Sequence, residues 1–430
     1  MCKKAKEEVN MEGGLFDEAP SVTPGSIESV RSELDLFSVP ATDVSSDSSS
    51  DYMVSFPLVS VRDSHAPIEF AIETTNGGYW SPLESFLSLT CRVVQQNGDL
   101  CEAADVVAPA SLFLHSFISN VELYINSTCA YDSSGMYPYI GTLNRLLATN
   151  PVAKGSSLKD EFYYPNKAPD TFLTTDTGFN ARYEQTKNST PFVVWGQLVG
   201  SIFSQPRYLP PGTSIRLVLR RSLPEFHLDC NSTTKAGVNG CPYRVDVVSA
   251  EYYSSRKVVS PQVLEFHRKQ LFEKHLTLKY PVNDYVVRTI AVAEGLDNAT
   301  SESIAMGRLP RFLVIGQVSQ TAFSGALNKS PFNFQTKKLK EVTVTWNDQN
   351  IENRIFPLSF QESVTKNSVT TVTGYNSFAL ALRGIQKTAA SESLLNGIDR
   401  DNFTNGIQSC VIIFGAKSSL LNSSHLIMQF

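Results

Sequence analysis

No run of this sequence approaches the roughly 18 consecutive apolar residues that a membrane-spanning helix needs. The opening MCKKAKEEVNMEGG has no apolar centre of the kind a secretory signal carries. Cysteine is scarce and unpatterned. The seven residues Cys2, Cys91, Cys101, Cys129, Cys230, Cys241 and Cys410 are an odd number spread along the whole chain, which excludes a disulfide framework. A reduced cytosolic or nuclear compartment is therefore expected, without secretion by a signal peptide. The sequons at Asn126, Asn188 and Asn231 then read as chance matches, because glycosylation requires secretion.

Charge is also sparse, at 18% of residues, and its balance is acidic, with a net charge of −5. A surface built to neutralise phosphate would cluster Lys and Arg on one face, so direct nucleic-acid binding is not expected. The short run Lys337-Lys338-Leu339-Lys340 reads as a solvated strand edge. The local arrangements that enzymes leave are missing too: no Gly-x-Ser-x-Gly elbow, phosphate-binding Lys loop, dinucleotide fingerprint or His-Glu-x-x-His helix occurs. The chain is expected not to be an enzyme, with no catalytic, cofactor-binding or metal residues and no cofactor.

What is abundant is aromatic and strand-forming. With 25 Phe and 16 Tyr in 430 residues, the composition suits half-buried strands. The length suits two domains of about 150–200 residues each. Residues 1–50 mix charge, Pro and Ser with little apolar periodicity and read as a flexible N-terminal arm. Within it, Leu34, Leu36, Phe37 and Val39 could dock on a neighbour or form a satellite of the first core.

The ordered body is expected to start near Tyr52. Ile68, Phe70 and Ile72 alternate on one face, and Phe86–Val94 follows as a strand after Gly77-Gly78. Leu112–Ile125 reads as one long β run closed by a turn at Asn126-Ser-Thr-Cys-Ala130. Ile140, Leu143, Leu146 and Leu147 stand at helical spacing. A polar, insertion-like region reaches to Asn188, and Lys154–Asn188 is expected to project as a tower or inter-subunit clasp. Three strands follow, Phe192–Phe203, Ser214–Arg220 and Tyr243–Tyr253, with a turn at Pro210-Pro211-Gly212. Ser260 is a candidate N-cap and Pro261 a first-turn residue for a boundary helix. Beyond it, Tyr285–Val292, Phe312–Val318, Val342–Trp346 and Cys410–Phe414 are strands and Phe378–Asn396 a helix. The fold class expected is all-β: two tandem jelly rolls with short flanking helices, the first over 51–256 and the second, with its linker helix, over 257–430.

Candidate chemistry is thin. His227, Cys230 and Cys241 could present metal ligands but lack a fourth, so a surface loop is the preferred reading. Asp63, His65 and Glu69 could be arranged as an acid–base set, yet nothing fixes the separation of their carboxylates. His267 and His275 flank the boundary helix and suit packing or solvent. Trp80, Trp195 and Trp346 suit core or inter-subunit contacts.

A series of short stretches nevertheless falls in a telling order. It runs through Glu33–Pro40, Ala66-Pro-Ile-Glu-Phe70, Leu114-His-Ser-Phe-Ile118, Tyr137-Pro-Tyr139, Arg207-Tyr-Leu209 with Ile215-Arg-Leu217, and Lys279-Tyr-Pro281. It ends with Leu309-Pro-Arg-Phe-Leu-Val-Ile-Gly316, Pro331-Phe-Asn-Phe334 and Asp401–Gly406. Taken together they resemble the double jelly-roll capsid proteins of Maverick/Polinton elements and adintovirus-type viruses. The resemblance implies a structural major capsid protein with two upright jelly rolls. Three chains would form a pseudo-hexagonal capsomer, with neighbouring capsomers and a minor (penton) capsid protein as partners, in a virion or intracellular setting. In one respect the chain departs from that pattern. After Cys410–Phe414 no further strands are expected, so the second roll would lack its last two, as in a truncated gene model, a decayed element copy or a host-retained, non-assembling derivative. A carbohydrate-binding or hydrolytic β-sandwich is the rival from another class.

Overall fold

The computed structural model describes residues 47–334 apart from 63–65, 75–77, 169, 232–240, 277, 281, 283–284, 294 and 296–309. Beyond 334 it describes the backbone of 345–346, 349–350, 412–415 and 423–429. Expectations for the N-terminal arm, the Lys337–Lys340 run, the Phe378–Asn396 helix and the Asp401–Gly406 stretch lie outside the described residues. The chain divides into two units, Met1–Ser45 and Ser46–Phe430, and every described residue belongs to the second.

Alternating side chains build the first half. Its elements are β1 (Asp47–Ser55), β2 (Ile68–Glu73), β3 (Gly78–Gln95), β4 (Val107–Pro109), α1 (Phe113–Ser116), β5 (Ile118–Ile125), β6 (Thr128–Asp132) and α2 (Tyr137–Ala148). They continue with α3 (Pro151–Gly155), α4 (Thr177–Thr186), β7 (Phe192–Gly196), β8 (Ser214–Arg221), α5 (Pro224–His227), β9 (Leu228–Cys230) and β10 (Tyr243–Val259). One sheet runs β1-β10-β3-β7 and the other β2-β8-β5-β6. Every neighbouring pair in both is antiparallel. A first strand paired with a last one, and successive strands passing between two sheets, is jelly-roll topology.

The inner faces meet as the periodicity of two demands. Ile68, Phe70 and Ile72 of β2, with Ile215, Leu217 and Leu219 of β8, face Leu87, Leu89 and Cys91 of β3 in one continuous core. The rings of Phe70 and Tyr252 tie the sheets together at 5.9 Å.

The second half comprises α6 (Pro261–Phe272), β11 (Val287–Ile290), β12 (Pro310–Gln317), α7 (Gln320–Phe323), β13 (Thr345–Trp346), β14 (Gln349–Asn350), β15 (Ile412–Gly415) and β16 (Ser423–Gln429). Its main described sheet runs β11-β16-β12-β15. The chain is thus all-β with few and mostly short helices.

Several elements differ from the sequence reading. β1 begins at Asp47, inside the stretch read as arm, because Asp51 pairs with Arg256 and Ser50 accepts a hydrogen bond from Lys257 across the ladder. The strand read as Phe86–Val94 begins earlier, at Gly78, where a Cβ would sit 2.5 Å from the Arg256 side chain. Leu112–Ile125 is not one strand. Leu112 takes φ 58° and starts α1, because Phe113, Leu114 and Phe117 must all enter the core. The region to Asn188 is not a projecting loop. It folds into α3, a 3-10 turn at Ser157–Glu161 and α4, and buries Phe172, Phe179 and Tyr183 with Ala108 as a small core. Strand β7 stops at Gly196. Ser260 takes an N-cap conformation without a side-chain hydrogen bond. Finally, β16 follows Cys410–Phe414, where no further strand was expected; it runs parallel to both β11 and β12.

The β5–β6 turn offers a test. Asn126 and Ser127 have φ of 48° and 66°, the signs required at both central positions of a two-residue hairpin turn, where Asn-Gly is favoured. Since a Cβ in the left-handed region costs about 1–2 kcal/mol, Ser127→Gly is expected to raise thermal stability by up to ~1 kcal/mol. A lowered melting temperature would show that the Ser127 side chain, not backbone strain, governs the turn.

Candidate functional site

Stretches that carry no chemistry of their own meet in the folded chain and make a seam between the two halves. The Arg207 guanidinium donates to the Lys279 carbonyl, and the Tyr280 hydroxyl donates to the Tyr208 carbonyl at 3.2 Å. Tyr139 of α2 receives the ring of Phe323 at 6.0 Å and that of Phe332 at 5.7 Å, and Phe332 also meets Phe226 edge-on at 5.6 Å. Contacts of this kind add about 0.5–1.5 kcal/mol each beyond area burial. Polar bonds set the register. Asp170 accepts from the Ser330 N–H and from Asn333 Nδ2, both at 2.9 Å, and the Cys230 N–H donates to the Leu327 carbonyl at 2.8 Å. Phe334 ends the seam, 1% exposed, in the same core cluster as Phe70.

Two buried ionic groups stiffen the wall behind this seam. In the first, His115 Nε2 stands 3.0 Å from Glu161 Oε2 and His115 Nδ1 3.0 Å from the Tyr137 hydroxyl, which also accepts from the Val199 N–H. Arg145 pairs with the other Glu161 oxygen at 2.7 Å and donates to the Gln197 carbonyl. Burial holds the His115 imidazole below its ordinary value, against the pull of Glu161. For Glu161, burial pushes upward, but His115 and Arg145 outweigh it and keep the carboxyl ionised at neutral pH. Two glycines make the space: a Cβ on Gly141 would lie 2.7 Å from His115 Nδ1, and one on Gly196 2.5 Å from the Glu161 side chain.

In the second group, Arg182, 1% exposed, pairs with Asp229 at 2.7 Å and donates to the Pro109 carbonyl and Asn166 Oδ1. Burial raises the Asp229 pKa and Arg182 opposes it. Both groups surround charges with protein partners, which is the arrangement of a structural strut.

The outer face of the β1-β10-β3-β7 sheet is different. Each strand contributes one ring: Tyr52 of β1, Tyr253 of β10, Phe86 of β3 and Trp195 of β7. Phe86 stacks on Tyr253 at 4.7 Å and meets Trp195 and Tyr52 edge-on at 5.3 and 5.5 Å. Trp195 and Tyr52 remain 45% and 54% exposed, and Val193 lies exposed one pleat from Trp195. Ion pairs between Arg256 and Asp51 and between Lys257 and Glu84 flank this stripe.

The candidates named from the sequence are scattered. Asp63 and His65 lie outside the described residues, while Glu69 pairs with Arg216 at 2.8 Å. His227, Cys230 and Cys241 are not on a surface loop but buried, with His227 edge-on to Phe113 and Phe117. Among the described residues no three His, Cys, Asp or Glu side chains converge as a metal set. His267 accepts or donates at 2.8 Å to the Tyr79 hydroxyl, and Trp80 is buried, donating to Ser85 Oγ. The side chain of Trp346 lies outside the described residues. Sequence reasoning missed the roles of Glu161, Arg145, Arg182 and Asp229. His115 and Tyr137 did stand inside family-like stretches, and that was the one available signal.

No family model matches the chain. An uncharacterized protein of Caenorhabditis elegans is 23% identical over 313 residues, which is 71% of this chain and 72% of that protein. Solved structures similar to it include viral capsid proteins. The mavirus major capsid protein is 12% identical, with 61% of this chain and 54% of that one covered at a TM-score of 0.32. A chain of the Sputnik virophage is 14% identical, with 57% and 55% covered at 0.35. One of the PBCV-1 virus capsid is 9% identical, with 54% and 46% covered at 0.34. The chain spans about half the length of these solved chains. No described helix is long and apolar enough to cross a membrane.

Breaking the second strut tests its role. Arg182→Met leaves Asp229 buried without its partner and is expected to cost about 3–5 kcal/mol in denaturant unfolding, whereas adding Asp229→Leu should recover much of that loss. Strictly additive losses would mean that the two charges act independently. Acid stability gives a separate check. Burial, helped by the Arg221 charge, drags His227 from an ordinary 6.5 to about 3. The folded state keeps His227 neutral while the unfolded chain protonates it. Stability is therefore lost at about 1.4 kcal/mol per pH unit as pH falls below 6.5, in the same direction as His115. His227→Leu should flatten the stability–pH curve between about pH 6.5 and 5 by that slope; an unaltered slope would refute it.

Proposed function

We propose that this chain is a structural subunit of a virus-like shell, a major capsid protein rather than an enzyme. The observation that carries the reading is the jelly-roll strand order of residues 47–259, to which the second half is joined through stretches that resemble Maverick/Polinton and adintovirus-type capsid proteins. On this reading residues 1–50 supply an arm, 51–256 the first roll and 257–430 the linker helix and second roll. Strand pairing supports edges for the first roll at Asp47 and Val259. Three copies form a pseudo-hexagonal capsomer in a virion or within the cell, meeting neighbouring capsomers and a minor capsid protein without binding nucleic acid directly.

The aromatic stripe on the outer sheet supports a protein-contact role over a sugar-binding one. A glycan platform presents open ring faces, whereas here Phe86 is covered by Tyr253 and met edge-on by Tyr52 and Trp195. Such rings in a half-exposed apolar patch are the residues that dominate protein interfaces.

Light scattering of the full 430-residue chain after size exclusion, with electron microscopy of the peak, is expected to give a trimer of pseudo-hexagonal outline. Tyr52→Ala with Trp195→Ala should weaken self-association by at least about tenfold, the scale of a ~2 kcal/mol hot spot, while leaving the melting temperature near that of the parent. A monodisperse monomer at all concentrations would overturn the reading.

A further inference from the structure

Strand β16 holds in its sheet the place that β10 holds in the first, but it runs in the opposite sense. In β1-β10-β3-β7 the second position belongs to β10, which is antiparallel to both β1 and β3. In β11-β16-β12-β15 it belongs to β16, which is parallel to both β11 and β12. The far side of the two sheets agrees, since β3 with β7 and β12 with β15 are both antiparallel pairs. We propose that the slot between β11 and β12 is built for an antiparallel strand and takes one from a second copy of this chain, the segment Ser423–Gln429 being exchanged between copies.

Connectivity explains the reversal. Both β7 and β10 are antiparallel to β3, so they share one sense, and the chain between them passes through the other sheet as β8. Two strands of like sense in one sheet need a crossover of about a dozen residues or more. Residues 416–422 alone join β15 to β16, which is too short a stretch for such a crossover. The chain therefore comes straight back, and β16 runs opposite to β15. Because β15 is antiparallel to β12, β16 ends up parallel to β12 and β11. The tether sets this direction, and the slot does not.

The fit of the chain's own segment is also imperfect. Its ladder with β12 skips from Pro310 opposite Ser423 to Leu313 opposite His425. With β11 it pairs only from Val287 opposite Leu426 to Ile290 opposite Gln429. A segment arriving from another copy has no tether to β15 and can enter in either sense, and the antiparallel ladder is the more stable per residue. The occupant is the same segment because it already pairs in this slot. Exchange of an identical element between copies is a low-cost route to association, and a short hinge under strain invites it.

Disulfide trapping on the full chain tests the exchange. Within one chain Ile290 lies opposite Gln429, whereas antiparallel entry brings the other end of the segment, near Ser424, to Ile290. Copies carrying Ile290→Cys, mixed with copies carrying Ser424→Cys under mild oxidation, are expected to give a disulfide-linked heterodimer that neither variant gives alone. Cross-linking confined to a single chain carrying both Ile290→Cys and Gln429→Cys, with no heterodimer, would overturn the proposal. Inserting about fifteen Gly and Ser residues within 416–422 exceeds the crossover length and lets the chain's own segment turn round. Loss of the heterodimer and a raised melting temperature are expected in that variant, and a heterodimer that persists there refutes the exchange. The Tyr52→Ala with Trp195→Ala background separates this from association through the outer sheet face. The heterodimer is expected to survive that double change; its disappearance would mean that copies meet only through those rings, and strand exchange would be wrong. Far-ultraviolet circular dichroism of each variant checks that the fold persists.

Discussion

The long antiparallel pairing of β3 with β10 carries the first half of this protein. The pairing runs from Tyr243 opposite Gln95 to Val258 opposite Gly78, with irregularities near Val247 and Tyr253. At the second irregularity the ladder bulges: Trp80 donates to Ser85 Oγ, and that hydroxyl both donates to the Ser81 carbonyl and accepts from the Ser255 N–H. A bulge of this kind bends a strand without breaking the sheet. Here it lets one long strand pair span the core and still reach β1 at its end. The remaining strands attach to this spine or face it.

That spine has two unlike faces. Its inner face is closed by the second sheet, so its side chains are aliphatic and aromatic without charge. Its outer face meets no other described sheet, and there the rings of four strands cover one another only in part. Leaving Trp195 and Tyr52 half exposed in a row forgoes the burial that the inner face achieves. The same economy explains the buried struts: His115, Glu161 and Arg145 link α1, α2 and the 3-10 turn, and each is costly to bury alone and tolerable only as a set.

Much of this was legible from local pattern. Ile68, Phe70 and Ile72 alternate and do form a buried strand face; the spacing of Ile140, Leu143 and Leu147 does form α2; Pro261 does open α6. These features depend on residues a few positions apart, where periodicity reports directly on the face a side chain will occupy. The Pro210-Pro211-Gly212 turn was legible for the same reason, and so was a reversal after Ile125, although it was read over Asn126–Ala130 and takes only Asn126 and Ser127, Thr128 already belonging to β6.

What depended on distant partners was not. A strand pattern in Leu112–Ile125 gave way to a helical turn because α1 packs on α2 and α5, and polar residues of Lys154–Asn188 folded inward because Arg182 found Asp229 across 47 positions. Composition and alternation by themselves determined an all-β chain with an apolar sandwich core, since burying one face of a strand needs no knowledge of its partner. Which charges could be buried, which aromatic face stayed open, and how the second half locks onto the first were decided by tertiary structure. Each of those is a balance of desolvation against partners that only the folded chain brings within reach.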